Sequence, residues 1–297
     1  MTVEGVLERV LSAPSPFCRD RLVAAGVTRV ATDVLGRLPL TRRSDLLRDQ
    51  LAHLPLGTRR YAGAAAPVRA GVAGGGDELL VLAWSADDLA WERAAGVRLL
   101  DRVGVRAGMR IANVLPGALA TPGALLLGDV VEELGGLDVP LGPVAADAAA
   151  RQAWEMIDRV EPDVLVLDAA SGAVLLAAAP ARARSWWHGI LWLRGVVASA
   201  VPVPAAAGFT GWQRHWLTVP EVASFVAHSC TADRFHVDDG VLAEVVDATS
   251  GALAADGILA LTPLGGESPV LRYASGVRAH AADGCACGAR GTVIEVE

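Results

Sequence analysis

With 297 residues, the chain can bury one large core or two modest ones, and its formal net charge of −7 provides no basic footprint for a polyanion partner. The mean hydropathy of +0.39 and the 53% apolar share exceed the globular average, yet the longest uncharged run, 111–128, is interrupted by Asn113, Pro116, Pro122 and three glycines, unlike a bilayer span. The start, Met1-Thr2-Val3-Glu4, has no basic segment leading into an apolar one, so the composition points away from nucleic acid, membrane and secretion and toward a cytoplasmic protein.

In chain order, residues 4–55 read as short amphipathic helices. Val6, Leu7, Val10 and Leu11 recur at helical spacing, and Thr41 ahead of Leu46 and Leu47 opens a further helix. From Leu79 the texture changes to short apolar runs alternating with helical stretches. Strands are expected at 79–83, 110–115, 137–141, 163–167 and 190–193, with helices at 87–102, 122–134, 145–160 and 172–182. Strict alternation implies parallel strands joined by crossovers, hence an α/β layer. A Pro/Ala/Gly stretch, 201–211, marks a boundary, beyond which 241–247, 257–263 and 292–296 read as short strands. The expected organisation is a helical segment over 1–60, an α/β subdomain over 61–205, and a β-rich subdomain over 206–297.

Chemistry concentrates near the C-terminal end. Cys230 and His236 are separated by five residues and Cys285 and Cys287 by one, and Cys18 is the only other cysteine. Three thiols and an imidazole are the ligand count of a closed structural zinc site, which leaves no open position for activating water. The bland alternative is three small buried thiols and a loop histidine, with His228 as a competing imidazole. A second concentration is aromatic: Trp186, Trp187, Trp192, Trp212 and Trp216 fall within 31 residues, together with His188, Arg194, Arg214 and His215. Core or interface packing explains such a cluster, as does a pocket in which Trp187, Trp192, Trp212, Arg214 and Trp216 line a substrate and His188 and His215 move protons.

Several segments, read in order, resemble the phenylacetate-coenzyme A ligase family of adenylate-forming enzymes. They are Ser15-Pro16-Phe17-Cys18-Arg19-Asp20, Leu38-Pro39-Leu40-Thr41-Arg42-Arg43-Ser44-Asp45-Leu46, Trp84-Ser85-Ala86-Asp87-Asp88-Leu89, His236-Val237-Asp238-Asp239, Glu244-Val245-Val246-Asp247, Leu271-Arg272-Tyr273 and Cys285-Ala286-Cys287-Gly288-Ala289-Arg290. Their colinearity spans nearly the whole chain. The resemblance implies the fold of an adenylate-forming N-terminal domain, with parallel α/β layers and a β-rich subdomain. It also implies zinc on Cys230, His236, Cys285 and Cys287, because some members carry it on the corresponding residues.

The sequence departs from that family where ATP chemistry resides. The loop 68–78 keeps glycines but has no Ser, Thr or Lys to meet phosphates, and it ends in Asp77 and Glu78. Val219 stands where the family places a magnesium-binding glutamate, with Glu221 two residues beyond. Val277 stands where an aspartate would hold the ribose. The sequence ends shortly after Arg290, ahead of the family's hinge and small lysine-bearing lid domain. The expectation is a degenerate ligase-like protein, repurposed in secondary metabolism to act on a small aromatic or acyl molecule without ATP and magnesium. Two alternatives stand beside it: a non-catalytic scaffold that binds a second copy or a pathway protein, and an ATP-dependent ligase completed by another chain.

Overall fold

The computed structural model describes residues 2–13, 15–30, 34–74, 76–117, 123–180, 187–195, 209 and 211–297. Trp186, Gly75, Pro122 and most of the stretch 201–211 lie outside them. The N-terminal helices are α1 (Val3–Ser12), α2 (Pro16–Ala24), α3 (Val34–Arg37) and α4 (Arg43–Ala52). The Ser15 hydroxyl accepts from the Cys18 amide and Pro16 stands at the first helical position, so α2 begins where its sequence offers both an acceptor and a preset φ.

Two strands, β1 (Arg69–Ala73) and β2 (Leu80–Trp84), pair antiparallel and lead into α5 (Ala86–Val103). A reciprocal cap starts α5: Ser85 Oγ accepts from the Asp88 amide and the Asp88 carboxylate accepts from the Ser85 amide at 2.8 Å. Gly104, at φ 103°, ends it in the left-handed conformation that glycine tolerates. Then follow β3 (Arg110–Asn113), α6 (Ala124–Glu133), β4 (Leu137–Pro140), α7 (Asp147–Val160), β5 (Val164–Asp168), α8 (Ala169–Ala177) and β6 (Gly189–Gly195). The remaining strands are β7 (Trp212–Val219), β8 (Ala223–Ser229), β9 (Phe235–Val237), β10 (Val241–Val246), β11 (Asp256–Pro263), β12 (Tyr273–Ala282) and β13 (Val293–Val296).

Eleven of these strands form one mixed sheet in the order β10-β11-β12-β13-β9-β8-β7-β6-β5-β3-β4. The five strands β4, β3, β5, β6 and β7 run parallel, and every pairing from β7 to β10 is antiparallel. The parallel half is covered on both faces. In β5, Val164 and Val166 enter a core with α5 and α6, whereas Leu165 and Leu167 enter the core that also holds Trp154 of α7 and Leu175 of α8. Such a strand reads as an unbroken apolar run because neither face meets water.

The expected α/β alternation holds, with differences at the ends of elements. The helix expected at 172–182 spans Ala169–Ala177 because the Asp168 carboxylate accepts from the Ser171 amide at 2.8 Å and starts it three residues earlier. Strands β1, β7, β8, β9 and β12 have no counterpart in the sequence reading. β8 is buried along all seven residues and so shows no alternation, while β7 was masked by its tryptophans and histidine.

Candidate functional site

Cys230 follows β8, His236 lies in β9, and Cys285 and Cys287 lie in the loop joining β12 to β13. Because β9 pairs with both β8 and β13, the sheet brings loops more than fifty residues apart in sequence to one point. Cys230 Sγ lies 3.3 Å from Cys285 Sγ, and Cys287 Sγ lies 3.3 Å from His236 Nε2. All four ligand atoms fall within 4.8 Å of one another. A disulfide needs about 2.05 Å between sulfurs. Tetrahedral zinc with sulfurs at about 2.3 Å holds them about 3.8 Å apart, so the spacing fits a metal cage far better than a covalent bond. The donor set fits a soft or borderline metal, and four donors close a tetrahedron.

Short turns aim the thiols. The Ala232 amide approaches Cys230 Sγ at 3.4 Å, Asp233 adopts φ 56°, and the Gly288 amide donates to the Cys285 carbonyl at 3.1 Å. Burial, assisted by Arg102, lowers the His236 pKa, which keeps the imidazole in its metal-binding neutral form. His236 Nδ1 is buried without a hydrogen-bond partner among the described residues. His228 is outside the four-atom cluster; its ring stacks on His236 at 5.6 Å, and burial followed by Arg102 pushes its pKa down to about 4.

The loop that joins β1 to β2 is fastened by α4. Arg43, at the start of α4, donates to the Ala73 carbonyl at 2.7 Å and to the Glu78 carbonyl, and its other terminal nitrogen pairs with Glu221. Two carbonyl oxygens of the loop, those of Ala73 and Glu78, therefore face a guanidinium. Val277 lies in β12 beside a cavity of about 280 Å³ bordered by Arg194, Gly195, Leu217, Arg278 and Glu297. This crevice sits at the carboxyl ends of parallel β6 and β7, the edge at which open α/β sheets hold ligands.

The tryptophans do not form one wall. Trp192 and Trp216 are both fully buried, but Trp192 packs with Trp187 on the α7 and α8 side, and Trp216 stacks on Phe225 at 4.6 Å on the α5 and α6 side. Trp187 stacks on Trp154 at 5.3 Å. Trp212 is half-buried over Gly189, where a Cβ would collide with the indole; Gly172 serves Trp192 in the same way. His188 is 61% exposed beside Asp163, whereas His215 is half-buried in β7 with Nδ1 unpaired among the described residues. Burial first, then Arg194 and Arg214, lowers the His215 pKa. Arg214 lines a different cavity, beside the Cys/His cluster.

Sequence reasoning missed Glu92. It lies at 2% exposure in α5 and accepts from the Ser224 amide at 3.0 Å and from the Ser224 hydroxyl, and burial pushes its pKa up to about 7. An acid one turn after the capping Asp88, on the face that also carries Leu89, Ala95 and Leu99, is the signal that marks it.

This α/β architecture is the N-terminal domain fold of adenylate-forming enzymes. Among solved structures, 2-hydroxyisobutyryl-CoA ligase in an open conformation with 2-HIB-AMP and CoA is similar over 99% of this chain and 71% of that one, at 18% identity and a TM-score of 0.83. A long-chain-fatty-acid-CoA ligase from Archaeoglobus fulgidus is similar over 77% of this chain and 50% of that one, at 9% identity and a TM-score of 0.55. An anthranilate CoA ligase in complex with anthranoyl-AMP is similar over 76% and 46%, at 14% identity and a TM-score of 0.54. The chain spans 64% to 71% of the length of the 2-hydroxyisobutyryl-CoA ligase chains. No protein-family model matches the sequence, and no curated protein matches it. No helix among the described residues is long and apolar enough to cross a membrane.

Proposed function

We propose that the chain is a degenerate member of the phenylacetate-coenzyme A ligase family, repurposed in secondary metabolism to bind a small aromatic or acyl molecule and act without ATP-dependent adenylation. The observation that carries this reading is the placement of Arg43. Its guanidinium neutralises Glu221, the carboxylate best placed to replace the missing magnesium ligand, and engages the carbonyls of the loop that would have to cradle phosphates. Val277 offers no acceptor for ribose hydroxyls. Electrostatic stabilisation supplies most of the catalysis of phosphoryl-type transfer, so losing its parts together leaves the fold and not the reaction.

In this reading the crevice between β6, β7 and β12 takes the ligand. Arg194 and Arg278 border it and suit a carboxylate, and His215, whose basicity is depressed partly by Arg194, is the proton mover. His188, at the amino end of β6, serves the same chemistry only if the ligand reaches the opposite edge of the strand. Trp187, Trp192 and Trp216 shape the strands from within the cores, Trp212 packs against the core of α5 and α6, and Arg214 faces the other cavity. Zinc, held by Cys230, His236, Cys285 and Cys287, is structural. The protein works as a homodimer or with a pathway partner, which light scattering of the purified chain reads directly.

The test is ATP–pyrophosphate exchange with benzoate, phenylacetate and short acyl acids, paired with calorimetric titration of the same acids with and without magnesium-ATP. No exchange above blank, with acid binding indifferent to ATP, is expected. Exchange dependent on an acid overturns the reading in favour of a ligase completed by another chain.

A further inference from the structure

A cavity of about 700 Å³ opens beside the Cys/His cluster, and its wall contains Arg102, Arg214, Arg290, His228 and the carboxylate of Asp239. It is separate from the crevice: Arg214 and Leu217 stand three residues apart in β7 and so point to opposite faces of the sheet. Three guanidiniums against one carboxylate is a marked local excess in a chain of formal net charge −7. Arg102 is the one already committed, donating to Asp239 at 3.1 Å. Arg214 donates only to the carbonyl of its neighbour Gln213, at 2.7 Å, and Arg290 makes no hydrogen bond among the described residues. A zinc ion with three thiolates and an imidazole carries one net negative charge, which offsets one arginine and leaves the cavity still positive.

His228 adds a second, independent observation. It is 6% exposed, lies in the cavity wall, and makes no hydrogen bond to the described residues. Its imidazole therefore offers the cavity a polar edge that a bound group can meet. The volume falls within the range of small-molecule sites and exceeds what a lone oxyanion fills, and Val103 and Ala289 supply apolar wall for an organic body.

We propose that this cavity binds the phosphate or diphosphate group of a small molecule, with Arg214 and Arg290 as charge-assisted donors and His228 as a hydrogen-bonding partner. Guanidinium forks match phosphate oxygens two at a time, so two unengaged arginines on one wall recognise a tetrahedral dianion better than a planar carboxylate needing one. The inference is independent of the ATP-free reading of the crevice, since it concerns binding on the other face and invokes no adenylation.

The test is calorimetry on the metal-loaded full chain with three probes: inorganic phosphate, inorganic pyrophosphate and ADP. At least one is expected to bind below about 1 mM, with roughly tenfold loss on Arg214→Ala and on Arg290→Ala at unchanged metal content. Arg290 is exposed, so its variant separates a lost contact from a lost fold. ADP tighter than pyrophosphate supports a phosphorylated organic ligand, and the reverse supports a free phosphate. The proposal is overturned if no probe binds below about 10 mM, if the Arg214→Ala/Arg290→Ala double variant binds as the unmodified protein does, or if the loss appears on Arg194→Ala instead, which places the ligand in the crevice.

Discussion

Arg272 and Arg43 both reach across the chain, yet they work in opposite senses. Arg272, 1% exposed, pairs with Glu244 at 3.1 Å and donates to the carbonyls of Leu38, Gly36 and Gly251. Thr41 joins the same knot, its hydroxyl donating to the Leu271 carbonyl at 2.6 Å and its backbone bridging to Arg272 and Ala274. Three of the segments that carry the family resemblance therefore meet in one piece of architecture. Arg43, by contrast, belongs to the same segment as Thr41 but satisfies itself on a loop and a carboxylate. Arg272 ties distant strands and loops into the interior, whereas Arg43 fastens one loop to the start of α4.

The strongest way to break this comparison is Arg272→Ala, which strands Glu244 and three carbonyls in the interior. A loss of about 3–5 kcal/mol is expected in urea unfolding, and a loss under about 1 kcal/mol would show the knot to be incidental. Metal removal comes next. Purified chain should carry about one zinc by elemental analysis, and Cys285→Ser or a strong chelator should lower the melting temperature by roughly 5–10 °C, because the ligands join loops otherwise held by little apolar packing. A chain that melts identically with and without metal would remove the structural role.

Glu92→Gln tests a deeply buried acid through its pH dependence. Unfolded, the carboxyl ionises near 4.5, and folded near 7, so the folded state keeps its proton longer. The stability this group contributes is full below about pH 4.5 and falls as pH rises through 7. The amide does not ionise; the variant should match the parent at pH 5 and exceed it at pH 8 by at most about 3 kcal/mol. Equal gains at both pH values would mean that the carboxyl is not the titrating group. Gly172→Ala should cost about 1–3 kcal/mol through the collision with Trp192. A similar loss, about 1–3 kcal/mol, is expected from Arg43→Ala, which leaves the buried Glu221 carboxylate and two carbonyls without their donor, and no pyrophosphate exchange should be acquired. A variant that gains exchange would show that Arg43 was all that stood between this fold and adenylation.

Much of the fold was legible because the parallel half is repetitive. Apolar runs such as Val164 to Leu167 alternate with helices whose caps, Ser85 with Asp88 and Gly104, are written in the residues themselves. The antiparallel half was less legible. β8 hides in a buried run without alternation, and β12 contains Gly276 with small residues whose fit depends on partners far away in the chain. The four metal-type ligands were visible from residue type and spacing, since sulfur and imidazole have few reasons to gather. The splitting of the tryptophans was not, because one-dimensional proximity says nothing about which face of a sheet each indole takes. Trp192 in β6 and Trp216 in β7 are partners in neighbouring registers that point apart.

The knot at Thr41 and Arg272 also sets a timetable. Thr41 meets Leu271 across 230 residues, Arg272 meets Leu38 across 234, and Cys18 meets Pro269 across 251. On a ribosome adding roughly 5–20 residues per second, the first four helices leave the exit tunnel tens of seconds before the strand that completes them. During that interval the cluster that holds Val6, Leu7, Val10, Cys18 and Leu22 lacks Leu271, its buried member from the far end of the sequence. The N-terminal helices are thus synthesised early and fastened late, when the segment that carries Leu271 and Arg272 arrives.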